Sequence, residues 1–290
     1  KNHWITSNIC EKKHSDSFIF DAYLNPYPFK EMSFDEACTY TLQEICKDHK
    51  NLYLGLSGGM DSVFILNLFH KNNIEITPII VAYGNEQEYI HAFRICNELN
   101  ITPIVLTPNA EQFLKMYHRK IYVPFDGVGY NSTQTLFCAQ YVVENGGTLI
   151  TANHLFGDDN ELVSNTAFAN ITEFDFYTDH VYKECNNIDF LLYTPEIAYA
   201  SLPKEINIFW GTHKANLYNI QRRPKHKHRY PSALQGALVY LVNKLEKKSY
   251  SKNWTKSEID NIFEGMKNER DRKSTRLNSS HVSESRMPSS

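Results

Sequence analysis

Several things are missing from this chain of 290 residues, and each absence removes a class of protein. No two cysteines stand in a CxxC arrangement: Cys10, Cys38, Cys46, Cys96, Cys138 and Cys185 are scattered, which argues against a zinc ribbon, a redox pair or a compact disulfide framework. Reduced thiols and a cytoplasmic location fit this usage. No apolar run approaches the roughly 18 residues of a membrane span, and the opening KNHWITSNICEKKHSD lacks the apolar core of a signal peptide. The chain opens on Lys1 rather than Met, so its true start is expected upstream. Charge of one sign is also scarce. A formal net charge of −3 gives no bulk attraction to nucleic acid or to an anionic membrane, so any polyanion site must come from local clustering. Two common nucleotide signatures, GxxxxGK[ST] and GxGxxG, are absent, which leaves a P-loop NTPase and a dinucleotide fold without support.

What is present is a hydrophobic share of 42%, with 13% aromatic residues, enough for one large domain or two small ones with a real core. LYLGL (52–56), ITPIIVAY (76–83), ITPIVLT (101–107) and GTLITA (147–152) are short, nearly continuous apolar runs, as expected of strands buried on both faces. Between them SVFILNLFHKN, EQEYIHAFRICNELN and YNSTQTLFCAQYVVENGG have helical spacing, and Gly146 and Gly147 are placed to stop the last. This alternation predicts βαβ crossovers and a doubly wound, mostly parallel α/β sheet. Ser33 and Glu36 stand in capping-box register and predict a helix ahead of the first strand. ALQGALVYLVNKLEKK and TKSEIDNIFEGMKNE predict a helical C-terminal part, with Thr255 and Glu258 as a second capping box. The expected organisation is an extension and leading helix over 1–45, a main domain over 46–250 and a last helix over 251–270. Residues 271–290, DRKSTRLNSSHVSESRMPSS, resemble the translation of a sequencing-library adapter and are set aside as non-native.

The most informative stretch joins the first strand to the next helix: Ser57, Gly58, Gly59, Met60, Asp61, Ser62. In a doubly wound sheet, ligands bind beyond the carboxyl ends of the strands. Glycines let backbone approach a ligand, and successive N–H groups leading into a helix N-terminus form an anion-binding concavity. Phosphate is the natural guest. A carboxylate inside such a cradle requires a shared cation, which makes Asp61 a candidate Mg²⁺ ligand, with Ser57 and Ser62 donating hydroxyls to phosphate oxygens.

LGLSGGMDS resembles the pyrophosphate-binding loop, SGGxDS, of the N-type ATP pyrophosphatases (PP-loop enzymes). The resemblance implies an adenine nucleotide alpha hydrolase-like fold, with ATP and Mg²⁺ as cofactors. It also implies cleavage between the α and β phosphates, with AMP transferred to the substrate. Leu56, Ser57, Gly58, Gly59, Asp61, Ser62 and Val81 are the ATP-binding residues it implies.

Three further stretches resemble the C-terminal synthase domain of the asparagine synthetases. In VAYGNEQEYIHAFRICNELNI, Glu88, Ala92, Cys96 and Leu99 follow that family's spacing. ITANHLFGDDNEL (150–162) resembles its strand followed by GxGxDEL, one residue short. Asp159 or Asn160 then stands at the family's Asp, while Glu161 and Leu162 match. Asp159 and Glu161 are the implied further metal ligands, and Asp158 the implied catalytic group that orients the substrate or takes a proton. IQRRPKHKHRYP (220–231) resembles RPKxxFxxP, which makes Lys225 the implied cation on the leaving pyrophosphate. Its surrounding Arg222, Arg223, Lys227 and Arg229 equally suit RNA contact or a solvated loop. The implied partners are a small carboxylate substrate and ammonia, which a separate glutaminase could supply, because about 50 residues ahead of the first strand are too few for a glutaminase domain. Two alternatives remain open: a PP-loop tRNA- or nucleobase-modifying enzyme similar to lysidine synthetase, and a nucleotide-binding module without catalysis.

Overall fold

The computed structural model describes residues 4–11, 18–82, 86–108, 112, 116, 130–152, 185–204 and 208–220. Lys1–Pro108 and His118–Arg222 form one compact unit, and Asn109–Tyr117 and Arg223–Ser290 a second. Every element below belongs to the first.

That unit holds a five-stranded, all-parallel sheet. Its strands are β3 (Leu52–Gly55), β4 (Thr77–Val81), β5 (Ile104–Leu106), β6 (Thr148–Thr151) and β7 (Asn186–Asp189), in the order β5-β4-β3-β6-β7. The chain runs outward from β3 through α2 (Met60–Lys71) to β4, and through α3 (Glu86–Glu98) to β5. It then returns through α4 (Tyr130–Asn145) to β6, on the other side of β3. Strand order therefore reverses between β3 and β6, and the carboxyl ends of those strands flank the crevice where doubly wound folds take ligands.

Alternation along each strand builds two cores. Leu52 and Leu54 of β3, Ile80 of β4, Ile150 of β6 and Ile188 of β7 join a cluster with Ala37, Cys38, Leu42 and Ile45 of α1 (Phe34–Asp48). Ile65, Leu66 and Phe69 of α2 and Ala92, Ile95 and Cys96 of α3 complete it. Ile79, Val81 and Leu149 point the other way, into a cluster with Cys138, Ala139 and Val142 of α4. Helices thus cover both faces, as runs of strand residues apolar on both sides require. Each fully buried Leu or Ile side chain contributes about 1.5–3 kcal/mol of transfer free energy, so these two clusters hold the sheet.

The local signals work as expected at several ends. Ser33 caps α1 through a reciprocal capping box, with its N–H donating to Glu36 Oε2 at 2.9 Å. Gly146 and Gly147, at φ of +73° and +136°, end α4 and turn the chain into β6. Gly147 admits no side chain, because a Cβ there would stand 2.4 Å from the Asn51 carbonyl oxygen.

Other elements were not expected from the sequence. β1 (Ile5–Glu11) and β2 (Phe18–Leu24) pair antiparallel within the segment read as an extension. Two adjacent strands need only a short connection, and polar Ser7 and Asn8 interrupt the first apolar run. β7 is NNID, too polar to register as a buried strand, and it sits at the sheet edge beside β6. After it come a 3₁₀ turn (Phe190–Leu192), α5 (Pro195–Ala200) and α6 (Trp210–Leu217). No helix among the described residues is long and apolar enough to cross a membrane.

Candidate functional site

The loop 56–59 leaves β3 at its carboxyl end and enters α2 at Met60, at the point where strand order reverses. Its shape depends on Gly58, whose φ of +75° is a left-handed conformation that side chains with a Cβ resist. Gly59 is the N-cap of α2 and offers no side-chain cap, in contrast to Ser33 on α1. The first amides of a helix have no partner inside it, so an N-terminus without a side-chain cap attracts an anion. Ser57 and Gly59 are exposed, which leaves the mouth of the loop open to solvent.

The hydroxyls are held by long hydrogen bonds. Ser57 Oγ lies 3.2 Å from Ser62 Oγ and accepts from the Gly59 N–H at 3.2 Å, while Ser62 Oγ donates to the Gly59 carbonyl at 3.2 Å. Good O–H···O bonds are about 2.7–2.8 Å, so these are weak and could be exchanged for phosphate oxygens at small cost. Leu56 and Val81 are buried beside the loop's base, Leu56 through its N–H to the Ile79 carbonyl at 2.9 Å.

Asp61 has a different setting from the one expected. It is buried, and its Oδ2 accepts from Lys214 Nζ at 2.8 Å while its Oδ1 accepts from the Tyr218 hydroxyl at 2.9 Å. Lys214 is completely buried, at 0% exposure. Burial together with the neighbouring Asp61 carboxylate pushes the Tyr218 phenol well above its ordinary range, so it stays a hydrogen-bond donor. Its ring stacks on Phe64 with centroids 4.2 Å apart, and both rings meet Phe34 of α1. Lys214 and Tyr218 are four residues apart and so share a face of α6 and its last turn, as Asp61 and Phe64 share a face of α2. The two helices therefore meet as an ion pair beside a stacked aromatic pair.

This donor set does not fit a divalent cation on Asp61. A metal ligand presents its oxygens to the ion, whereas here a buried ammonium and a phenol engage both. Among the described residues no group of three His, Cys, Asp or Glu is placed to hold a metal. Of the other expected site residues, Asp158, Asp159, Glu161 and Lys225 lie outside the described residues, with the basic stretch 222–229. The structure thus brings together Leu56, Ser57, Gly58, Gly59, Asp61 and Ser62, with Val81 on the next strand.

Lys214 and Tyr218 were missed by sequence reasoning. Their signal is the spacing of Trp210, Lys214 and Tyr218, a four-residue stripe on one helix face, in which the Lys214 ammonium lies 5.8 Å from the Trp210 ring. A lysine in such a stripe is ordinarily solvated, and its burial requires a charge partner that only the fold supplies.

No family model and no curated protein matches the chain. Three solved structures show likeness to it. An NH3-dependent NAD synthetase from Campylobacter jejuni is 14% identical with a TM-score of 0.36, over 89% of this chain and 96% of that one. An NMN synthetase from Francisella tularensis is 17% identical with a TM-score of 0.34, over 77% of this chain and 100% of that one. A predicted subunit of tRNA methyltransferase from Methanocaldococcus jannaschii is 13% identical with a TM-score of 0.33, over 60% of this chain and 93% of that one. All three TM-scores fall below 0.5, so the chemistry of the site rests on its own residues.

Proposed function

We propose that the protein is an ATP-dependent adenylating ligase that activates a carboxylate for amide formation, as the asparagine synthetases do. One observation carries this reading. SGGMDS stands where the parallel sheet reverses strand order, with Gly58 left-handed and the N-terminus of α2 lacking a side-chain cap. That arrangement suits a chain of phosphates, and the resemblance to the PP-loop enzymes makes them the β and γ phosphates of ATP.

The chemistry follows from where charge grows. A substrate carboxylate oxygen attacks the α-phosphorus, the bond between the α-phosphorus and the bridging oxygen breaks, and pyrophosphate leaves with the electron pair. N–H donors and hydroxyls aimed at the leaving group, from Gly59, Ser57 and Ser62, stabilise that charge without a covalent nucleophile. Lys225 is the proposed further cation on pyrophosphate, and Asp158 the proposed group that orients the substrate. Ammonia then attacks the acyl carbon and displaces AMP, leaving the amide. Asp159 and Glu161, rather than Asp61, are the proposed residues for a divalent cation accompanying ATP.

The basic stretch 222–229 supports a second reading, a tRNA-modifying enzyme similar to lysidine synthetase. Radiolabelled ATP separates the readings. Pyrophosphate release stimulated by aspartate or another carboxylate supports the first, and stimulation by tRNA the second. Binding without turnover over a panel of both would refute each in favour of a nucleotide-binding module.

A further inference from the structure

We propose that Lys214 is the built-in counter-ion of Asp61, a positioning residue that cancels the carboxylate at the mouth of an anion site and so replaces the divalent cation that such a carboxylate would otherwise need. Asp61 sits in the first turn of α2, among the amides that would face a phosphate. An uncompensated negative charge there would repel the ligand that Gly58, Gly59 and the serines are shaped to receive. The ammonium of Lys214, 2.8 Å away, removes that repulsion. At 0% exposure Lys214 is also too deep to be a surface phosphate contact, so its charge acts through Asp61.

Three features show a built site rather than a chance contact. The carboxylate is held at both oxygens, by Lys214 and by Tyr218. Tyr218 is itself fixed by stacking on Phe64, one turn along α2 from Asp61. Trp210 backs the ammonium from the preceding turn of α6. Moving the Lys214 ammonium aside for an arriving metal would leave it buried and without its counter-ion, which is unfavourable.

The inference rests on the reading that residues 57–62 bind phosphate, and its test separates the two. Inorganic pyrophosphate is titrated calorimetrically into the full chain and into Lys214→Met, Asp61→Asn and the double variant, in EDTA and then with Mn²⁺; thermal melts of all four proteins are recorded. Lys214→Met should weaken pyrophosphate binding in EDTA by about tenfold, the scale of one unmasked like charge. The double variant should bind within about threefold of the unsubstituted chain, a restoration that a merely structural lysine would not give. Its melting temperature should also lie above that of Lys214→Met, because removing both charges is tolerated where stranding one is not.

The proposal is overturned if Asp61→Asn abolishes binding of Mn²⁺ alone. It is equally overturned if the two substitutions lower melting temperature additively. Should the unsubstituted chain bind no pyrophosphate, the phosphate reading of the loop fails, and the melts alone then decide whether Lys214 and Asp61 are coupled.

Discussion

Replacing Gly58 with alanine tests the loop's conformation without touching a charged group. At φ of +75° a Cβ meets the preceding backbone, and the penalty is about 1–2 kcal/mol. For a unit of this size that corresponds to roughly 2–8 °C in melting temperature. The neighbouring Gly59→Ala is the internal control. Gly59 has φ of −71° and ψ of 163°, which any residue adopts, and its new Cβ would stand 3.2 Å from Ser57 Oγ, the end of a short side chain that can rotate away. Its stability should stay within about 0.5 kcal/mol of the unsubstituted chain. Displacing the Ser57 hydroxyl should nevertheless weaken pyrophosphate binding several-fold. Differential scanning calorimetry paired with pyrophosphate titration reads both quantities. If Gly59→Ala lowers the melting temperature as much as Gly58→Ala, the loop does not have this conformation and the reasoning fails.

Gly147→Ala should be worse than either, costing about 2–3 kcal/mol, because its Cβ would collide with the Asn51 carbonyl at 2.4 Å. Gly146→Ala, with nothing within 4 Å, should cost only the strain of its positive φ, and urea melts would rank the two. Cysteine alkylation in the folded protein should label exposed Cys46 first. Burial pushes the Cys138 thiol up to about 12 and Cys96 to about 11, and raises Cys38 further, so mass spectrometry should find these three modified only in denaturant. Burial lowers the His49 pKa, so the unfolded chain takes up that proton first. Its contribution to stability is therefore present above about pH 6.5 and lost as pH falls below it, and ¹H–¹⁵N spectra of the imidazole against pH should show a midpoint below that value.

How far the sequence reveals this molecule depends on whether a signal is local. β3, β4, β5 and β6 were legible because strands buried on both faces must be apolar at every position, and the loop 57–62 because left-handed turns and phosphate approach demand glycine. α1 announced itself through Ser33 and Glu36. β7 was illegible because NNID owes its place to pairing with β6 rather than to its own composition. The β1–β2 pair was hidden by polar residues in the first strand. At the site, sequence placed a carboxylate and the logic of charge demanded a cation beside it. That demand was sound, but its answer came from Lys214, 153 residues away, which no local pattern marks as buried. Trp210, Lys214 and Tyr218 form a stripe whose meaning depends on the helix facing it.

The central claim is that residues 57–62 hold the phosphates that leave ATP as pyrophosphate. Incubating the full chain with a panel of carboxylates and ATP labelled separately at the α and γ positions tests it most directly. The account predicts α-label in AMP or an adenylated substrate and γ-label in pyrophosphate, with both lost in Gly58→Ala. Appearance of the γ-label in orthophosphate, with the α-label in ADP, would contradict it.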